Sequence, residues 1–202
     1  YGGDPRCVVV TGGSAGAHLA SLVALTPHVR TLQPGFEGAD TGVAACVPLY
    51  GIYDFLDREH ARDDGGALTR WLARTVMPGT PAADRRLWDL ASPIAQVNAD
   101  APPFFVLHGT HDSLAKVEEA RAFVLRLREV SRRPVAYAEL PGAQHAWDLF
   151  RSVRAEHTVR AVARFLEWVR SDLEAARRAD ALARVESDAG SSGREALVGL
   201  RR

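Results

Sequence analysis

Cysteine is scarce in this chain: 202 residues contain two, Cys7 and Cys46. Both fall in apolar, strand-like runs, which excludes a disulfide scaffold and predicts buried free thiols. An excess of charge of either sign is also lacking, because 25 basic residues stand against 25 acidic ones. That balance removes the electrostatic case for nucleic acid or a membrane surface as partner. No run is long and apolar enough to span a bilayer, and no internal repeat occurs. What is present is 47% hydrophobic content, enough at this length to bury a real core in one globular unit.

The densest information lies near the start. Arg6 to Val10 reads as a short strand, buried on both faces by its composition, and it runs into Thr11-Gly12-Gly13-Ser14-Ala15-Gly16. A helical pattern follows over Ala17 to Leu25. The order of glycines is neither the G-x-G-x-x-G of dinucleotide sites nor the Gly-Lys-Ser/Thr ending of a phosphate loop. It is G-x-S-x-G, the pattern of a serine held on a sharp strand-to-helix turn. Gly12 and Gly16 remove bulk on either side of Ser14, where the turn is tight and the helix passes close to the strand. Such a turn aims the N–H of Ala15 and the positive helix end at the place where an oxyanion develops during acyl transfer.

A nucleophilic serine of this kind needs a base and an orienting acid, in the chain order Ser, Asp or Glu, His. Pro103 to Leu107 reads as a buried strand, and His108-Gly109-Thr110-His111-Asp112 leaves Asp112 just beyond its carboxyl end. A helix is predicted from about Ala115 to Val130, with Glu118 and Glu119 in its first turn and Arg126 and Arg128 near its end. Pro134 to Leu140 gives the next strand, and Pro141-Gly142-Ala143-Gln144-His145 delivers an imidazole past that strand's end. The crossover helix returns the chain to the same edge, so Asp112 and His145 share one rim. Among the competitors, His108 closes a strand, His111 is too near Asp112 in sequence, and His18 lies inside a helix. Asp148 follows His145 by three residues, and Asp54 reads as a helix cap after Tyr50-Gly51-Ile52-Tyr53. The spacing of His108, His111, Asp112 and His145 matches no metal framework. Trp147, two residues past His145, is a candidate pocket wall on position alone.

Val43 to Leu49 adds a strand, making four. From 54 to 102 there are short helical patterns and no strand signal, with Trp71 and Trp88 read as core of these excursions. A last helix is predicted from about Val153 to Val169, with Val159, Val162, Ala163, Leu166 and Val169 as one stripe packed on the sheet. Residues 1–170 form the folded unit; 171–202 read as a solvated, partly helical tail in which Asp188-Ala189-Gly190-Ser191-Ser192-Gly193 interrupts any helix.

The stretches Gly12-Gly13-Ser14-Ala15-Gly16, His108-Gly109-Thr110-His111-Asp112 and Gly142-Ala143-Gln144-His145-Ala146 resemble the α/β-hydrolase superfamily, especially the esterase and lipase branch related to hormone-sensitive lipase. The resemblance runs from Tyr1 to about Arg170 and implies a three-layer α/β fold with Ser14 as nucleophile, Asp112 as acid and His145 as base. It implies a small-molecule carboxylic ester as substrate, with no metal and no organic cofactor. Members of that branch often carry Gly-Asp-Ser-Ala-Gly-Gly at the elbow, where this chain has Gly13 before the serine and Ala17 after the last glycine. The family fold has eight strands and an upstream oxyanion loop of HGG type, whereas no His-Gly-Gly occurs here. The expectation is therefore a carboxyl-terminal portion: about four parallel strands, with amino-terminal strands missing. Loss of one oxyanion donor costs about 3 to 4 kcal/mol of transition-state stabilisation. The chain alone is thus expected to be impaired, and to self-associate through an unpaired sheet edge. The alternative is a non-catalytic remnant with a structural or interaction role.

Overall fold

The computed structural model describes residues 2–62 and 65–199. Its centre is a parallel sheet of four strands: β1 (Val9–Gly13), β2 (Ala45–Leu49), β3 (Phe104–Gly109) and β4 (Val135–Leu140), hydrogen-bonded in that order. Register runs from Val9 opposite Ala45 to Gly13 opposite Leu49, and from Phe104 opposite Val135 to Gly109 opposite Leu140. Parallel neighbours require crossovers. Helix α1 (Ala15–Leu25) follows β1, helices α2 (Ala67–Thr75) and α3 (Arg85–Leu90) lie between β2 and β3, and α4 (Val117–Val130) joins β3 to β4. These are the four parallel strands with crossover helices expected from the sequence.

Alternation along β3 explains the layering. Phe104 and Val106 join Ala20 and Leu25 of α1 and Ala120, Phe123, Val124 and Leu127 of α4 in the main buried cluster. The intervening Phe105 and Leu107 face the other side, against Thr158 and Ala161 of a fifth helix, α5 (Val153–Gly199). All six residues of β3 are buried because helices cover both faces. A second cluster, Phe55, Leu72 and Trp88, holds the excursion between β2 and β3 together.

Several elements depart from expectation. The first strand begins at Val9 and continues through Gly13, because Thr11, Gly12 and Gly13 pair with Val47, Pro48 and Leu49. As an edge strand it is half-buried, with Thr11 exposed, and not buried on both faces. Cys46 is a buried free thiol and Cys7 a half-buried one. Trp88 is core, but Trp71 is 55% exposed, on the outer side of a helix that buries Leu72 instead. Asp54 caps no helix: its carboxylate accepts from the N–H groups of Leu56 and Arg58 and pairs with the Arg58 guanidinium, fixing a turn.

The chain divides into two compact units, Tyr1–Val162 and Ala163–Arg202. In the first, α5 buries Ala155 and Thr158, and Val159 and Val162 of the expected stripe line one cavity with Thr11, Val47 and Leu49 of the sheet, although Val159 stays largely exposed. The helix does not end near 169 and is not interrupted over 188–193; it continues to Gly199. Residues 200–202 of the expected tail lie outside the described residues.

Candidate active site

Ser14 stands between the end of β1 and the start of α1, with φ 56 and ψ −120. A positive φ at a serine is a strained conformation, of the kind held only where the surroundings over-determine it. Two contacts do so. The Ser14 N–H donates to the Leu49 carbonyl at the end of β2 (3.0 Å), and the Ser14 carbonyl accepts from Ala17 and His18 in the first turn of α1. Close approach of strand and helix explains Gly12, where a Cβ would meet the Gly16 carbonyl carbon at 2.5 Å. Gly16 itself has open space at its own Cβ position, so the crowding expected of both glycines acts at Gly12 alone.

A serine in the N-cap position ordinarily accepts a hydrogen bond from the helix's first turn. Ser14 makes no such cap. Its Oγ instead lies 2.8 Å from Nε2 of His145, whose Nδ1 is 2.7 Å from Oδ2 of Asp112. The three residues named from the sequence thus form one continuous hydrogen-bonded line. The Asp112 side chain is fully buried and that of His145 is 15% exposed, so the carboxylate is shielded while the imidazole reaches solvent. Asp112 is further fixed through Oδ1, which accepts from the N–H groups of Leu114 and Ala115.

The loops carrying acid and base are stitched together. The His111 N–H donates to the Ala143 carbonyl (3.0 Å), and the Gly142 N–H donates to Thr110 Oγ1 (2.9 Å). Gly109 permits this approach, since a Cβ there would press into the Ala143 carbonyl. His111 therefore contributes its backbone, and its side chain takes no part in the line. His108 is buried, with Nε2 2.8 Å from the Ala115 carbonyl and 3.5 Å from Asp112 Oδ2. Burial lowers its pKa, against smaller opposing effects of the Ala115 carbonyl and Asp112. His18 packs flat on Phe55 with centroids 4.3 Å apart and directs Nδ1 to the Ile52 carbonyl.

Trp147 lines an apolar cavity of about 260 Å³ with Thr11, Val47, Leu49, Ala155 and Thr158, on the α5 side of the sheet. Its indole Nε1 is buried without a hydrogen-bond partner. Two neighbours of the site, Tyr50 and Asp148, take no role from the sequence, where Asp148 is set aside as the acid. Tyr50, read only as the end of a strand, stands edge-on to the His145 ring at 4.8 Å. Its hydroxyl donates to Oδ1 of Asp148 at 2.5 Å, from 98 residues away. Ala15 occupies the first position of α1, where backbone N–H groups have no intrahelical acceptor. Among the described residues no helix is long and apolar enough to cross a membrane.

Comparison with known proteins places this geometry in context. The profile of the BD-FAE family matches residues 1–127. The probable carboxylic ester hydrolase LipM of Mycobacterium tuberculosis is 53% identical over 84% of this chain, and esterase LipQ of the same organism is 46% identical over 82%. The chain spans 39% of the length of each of these two relatives. Among solved structures, an esterase from the Planctomycetes species Thermogutta terrifontis superposes with a TM-score of 0.66 at 22% identity, covering 83% of this chain and 58% of its own. A truncated carbohydrate esterase from gut microbiota superposes equally well, with a TM-score of 0.66 over 82% and 60%. At such identities the structural likeness establishes the α/β-hydrolase fold, of which the four strands here are a part.

Proposed function

The chain belongs to the BD-FAE family, and we propose that it hydrolyses small carboxylic esters through an acyl-enzyme on Ser14. The observation that carries this reading is the bridging position of His145, 2.8 Å from Ser14 Oγ on one side and 2.7 Å from Asp112 on the other. Its relatives named as ester hydrolases support the substrate class.

His145 Nε2 accepts the Ser14 proton as Oγ attacks the ester carbonyl. Asp112 accepts the Nδ1–H, which holds the tautomer with Nε2 free and stabilises the imidazolium that forms. The Ala15 N–H, at the positive end of α1, receives the developing oxyanion. The imidazolium then protonates the departing alcohol. Water, deprotonated by the same nitrogen, attacks the acyl carbonyl; as the bond to Oγ breaks and the acid is released, the imidazolium returns that proton to Ser14 Oγ. No step calls for a metal or organic cofactor. Trp147 contributes an apolar wall near the base loop.

As a separate 202-residue chain the catalyst is weak. The elbow supplies one oxyanion donor, no His-Gly-Gly run supplies another, and a missing donor lowers the rate roughly a hundred- to a thousandfold. The edge strand β1 is also where a second copy would pair; sedimentation at rising concentration measures that association. A fluorophosphonate probe tests the catalytic reading directly. Covalent labelling of Ser14, lost in Ser14→Ala, is expected. A folded protein that takes no label would instead favour a structural or interaction role.

A further inference from the structure

We propose that Tyr50 is a positioning residue for His145, holding the base loop through its hydrogen bond to Asp148 and its edge-on contact with the imidazole. This rests on the esterase reading of Ser14, Asp112 and His145.

Tyr50 is anchored where nucleophile and base loops meet. It follows Leu49, whose carbonyl accepts the Ser14 N–H, and its own N–H donates to the Leu107 carbonyl of β3 at 2.8 Å. Its φ of 42 is one that residues with a side chain rarely adopt. That turn lays the ring over the elbow. A Cβ on Gly13 would overlap the Tyr50 hydroxyl and ring, so the absence of a side chain before the nucleophile makes room for this phenol.

From there the ring touches the base loop at three points. It stands edge-on to His145 at 4.8 Å and to Trp147 at 6.0 Å, and its hydroxyl closes on Asp148. Between these contacts the loop turns through Ala146 at φ 55. A loop bent in this way needs a fastening beyond its turn, and Asp148 supplies it. Burial, and then the Asp148 carboxylate, raise the phenol's pKa well above its ordinary value, so the hydroxyl keeps its proton and acts as donor. With that hydrogen bond directed to Asp148, the hydroxyl is not free to serve as an oxyanion donor; its effect passes through the imidazole.

A purely structural role predicts something different. Asp148 is exposed, so water can replace the phenol at the carboxylate and the fold loses little when the bond is cut. The catalytic line, by contrast, tolerates little displacement of Nε2 from Ser14 Oγ. Misplacement of a reacting group by about 1 Å can cost on the order of a hundredfold in rate.

The test uses the 202-residue chain with Tyr50→Phe, Asp148→Ala and the double variant, read by the rate of fluorophosphonate labelling and by kcat and KM on a p-nitrophenyl ester. Each single variant is expected to lower labelling rate and kcat by about 10- to 100-fold with KM unchanged. The double variant should be no slower than the singles, because both remove one bond. Melting temperatures should stay close to that of the parent, and if Tyr50→Phe unfolds, the surface substitution Asp148→Ala decides. A labelled parent whose variants react at the parental rate overturns the role of Tyr50 alone. A folded parent that takes no label overturns the catalytic reading and this inference with it.

Discussion

The imidazole of His145 and the carboxylate of Asp112 meet at 2.7 Å although loops following different strands carry them. Hydrogen bonds between those loops, from His111 to Ala143 and from Gly142 to Thr110, bring the two strand ends into one unit. The carboxylate and the imidazole are therefore held together by the loops that carry them.

Asp112→Asn should consequently leave the fold intact and remove most of the activity. An amide can turn its NH2 toward the ring and stabilise the tautomer whose Nε2 carries the hydrogen, which cannot take the proton from Ser14. A fall in kcat of about 10⁴-fold is expected where this tautomer is trapped, with little change in KM. Steady-state kinetics on a p-nitrophenyl ester checks it. Retention of more than a tenth of the parental kcat would remove Asp112 from the mechanism.

The two glycines flanking Ser14 should respond in opposite directions. Gly12→Ala drives a Cβ into the Gly16 backbone, and neither chain segment can yield without opening the elbow. A loss of about 1 to 3 kcal/mol is expected. Gly16 lies within α1, and its Cβ position is open. Gly16→Ala should therefore be neutral or stabilising by up to about 1 kcal/mol, as helix propensity dictates. Denaturant melts of the two variants separate the cases, and equal losses would show that both sites are crowded.

What could be read from the sequence divides along physical lines. The convergence of Ser14, Asp112 and His145 was legible because a strained turn, a strand end and a chain-order rule each leave local marks. The sheet was legible from its apolar runs, except that Thr11-Gly12-Gly13 looked like turn. Pairing with Val47 to Leu49 depends on backbone groups that every residue carries, so composition did not reveal it. The glycines and serines at 188–193 suggested a break, yet each glycine costs a helix only about 1 kcal/mol, and α5 passes through them. The contact of Tyr50 with Asp148 left no trace, because it spans 98 residues and depends on side-chain direction at a positive φ. For the same reason the exposed Trp71 and the buried Trp88 could not be told apart.

Glu119 and Arg62 form an ion pair whose side chains are 2% and 4% exposed. Glu119 also accepts from the Tyr53 N–H, tying α4 to the loop after β2. Burial raises its pKa, opposed by the Arg62 guanidinium, so the pair stands only while both partners remain. Removing Glu119 takes its carboxylate away from a deeply buried guanidinium, and Glu119→Ala should cost about 3 to 5 kcal/mol, the usual range for breaking a buried pair on one side. Replacing both by apolar residues of similar volume, as in Arg62→Met with Glu119→Leu, should recover most of that loss. Chemical denaturation of the three proteins checks the prediction; a double variant no more stable than Glu119→Ala would refute it.

His18 makes stability depend on pH. Burial lowers its pKa, and the hydrogen bond to the Ile52 carbonyl offsets this in part. In the unfolded chain the ring protonates near its ordinary value of about 6.5, whereas in the folded chain it stays neutral to lower pH. Below about pH 6.5 the unfolded state thus binds more protons, and stability falls as pH falls until the folded pKa is reached. The lowered pKa of His108 adds a slope of the same sign. His18→Gln keeps a donor for the Ile52 carbonyl but does not titrate. Its melting temperature should be lower than the parent's at about pH 7, because the stack on Phe55 is lost, but should decline less steeply between about pH 7 and pH 5. Parallel curves for the two proteins would mean that His18 takes up its proton equally in both states.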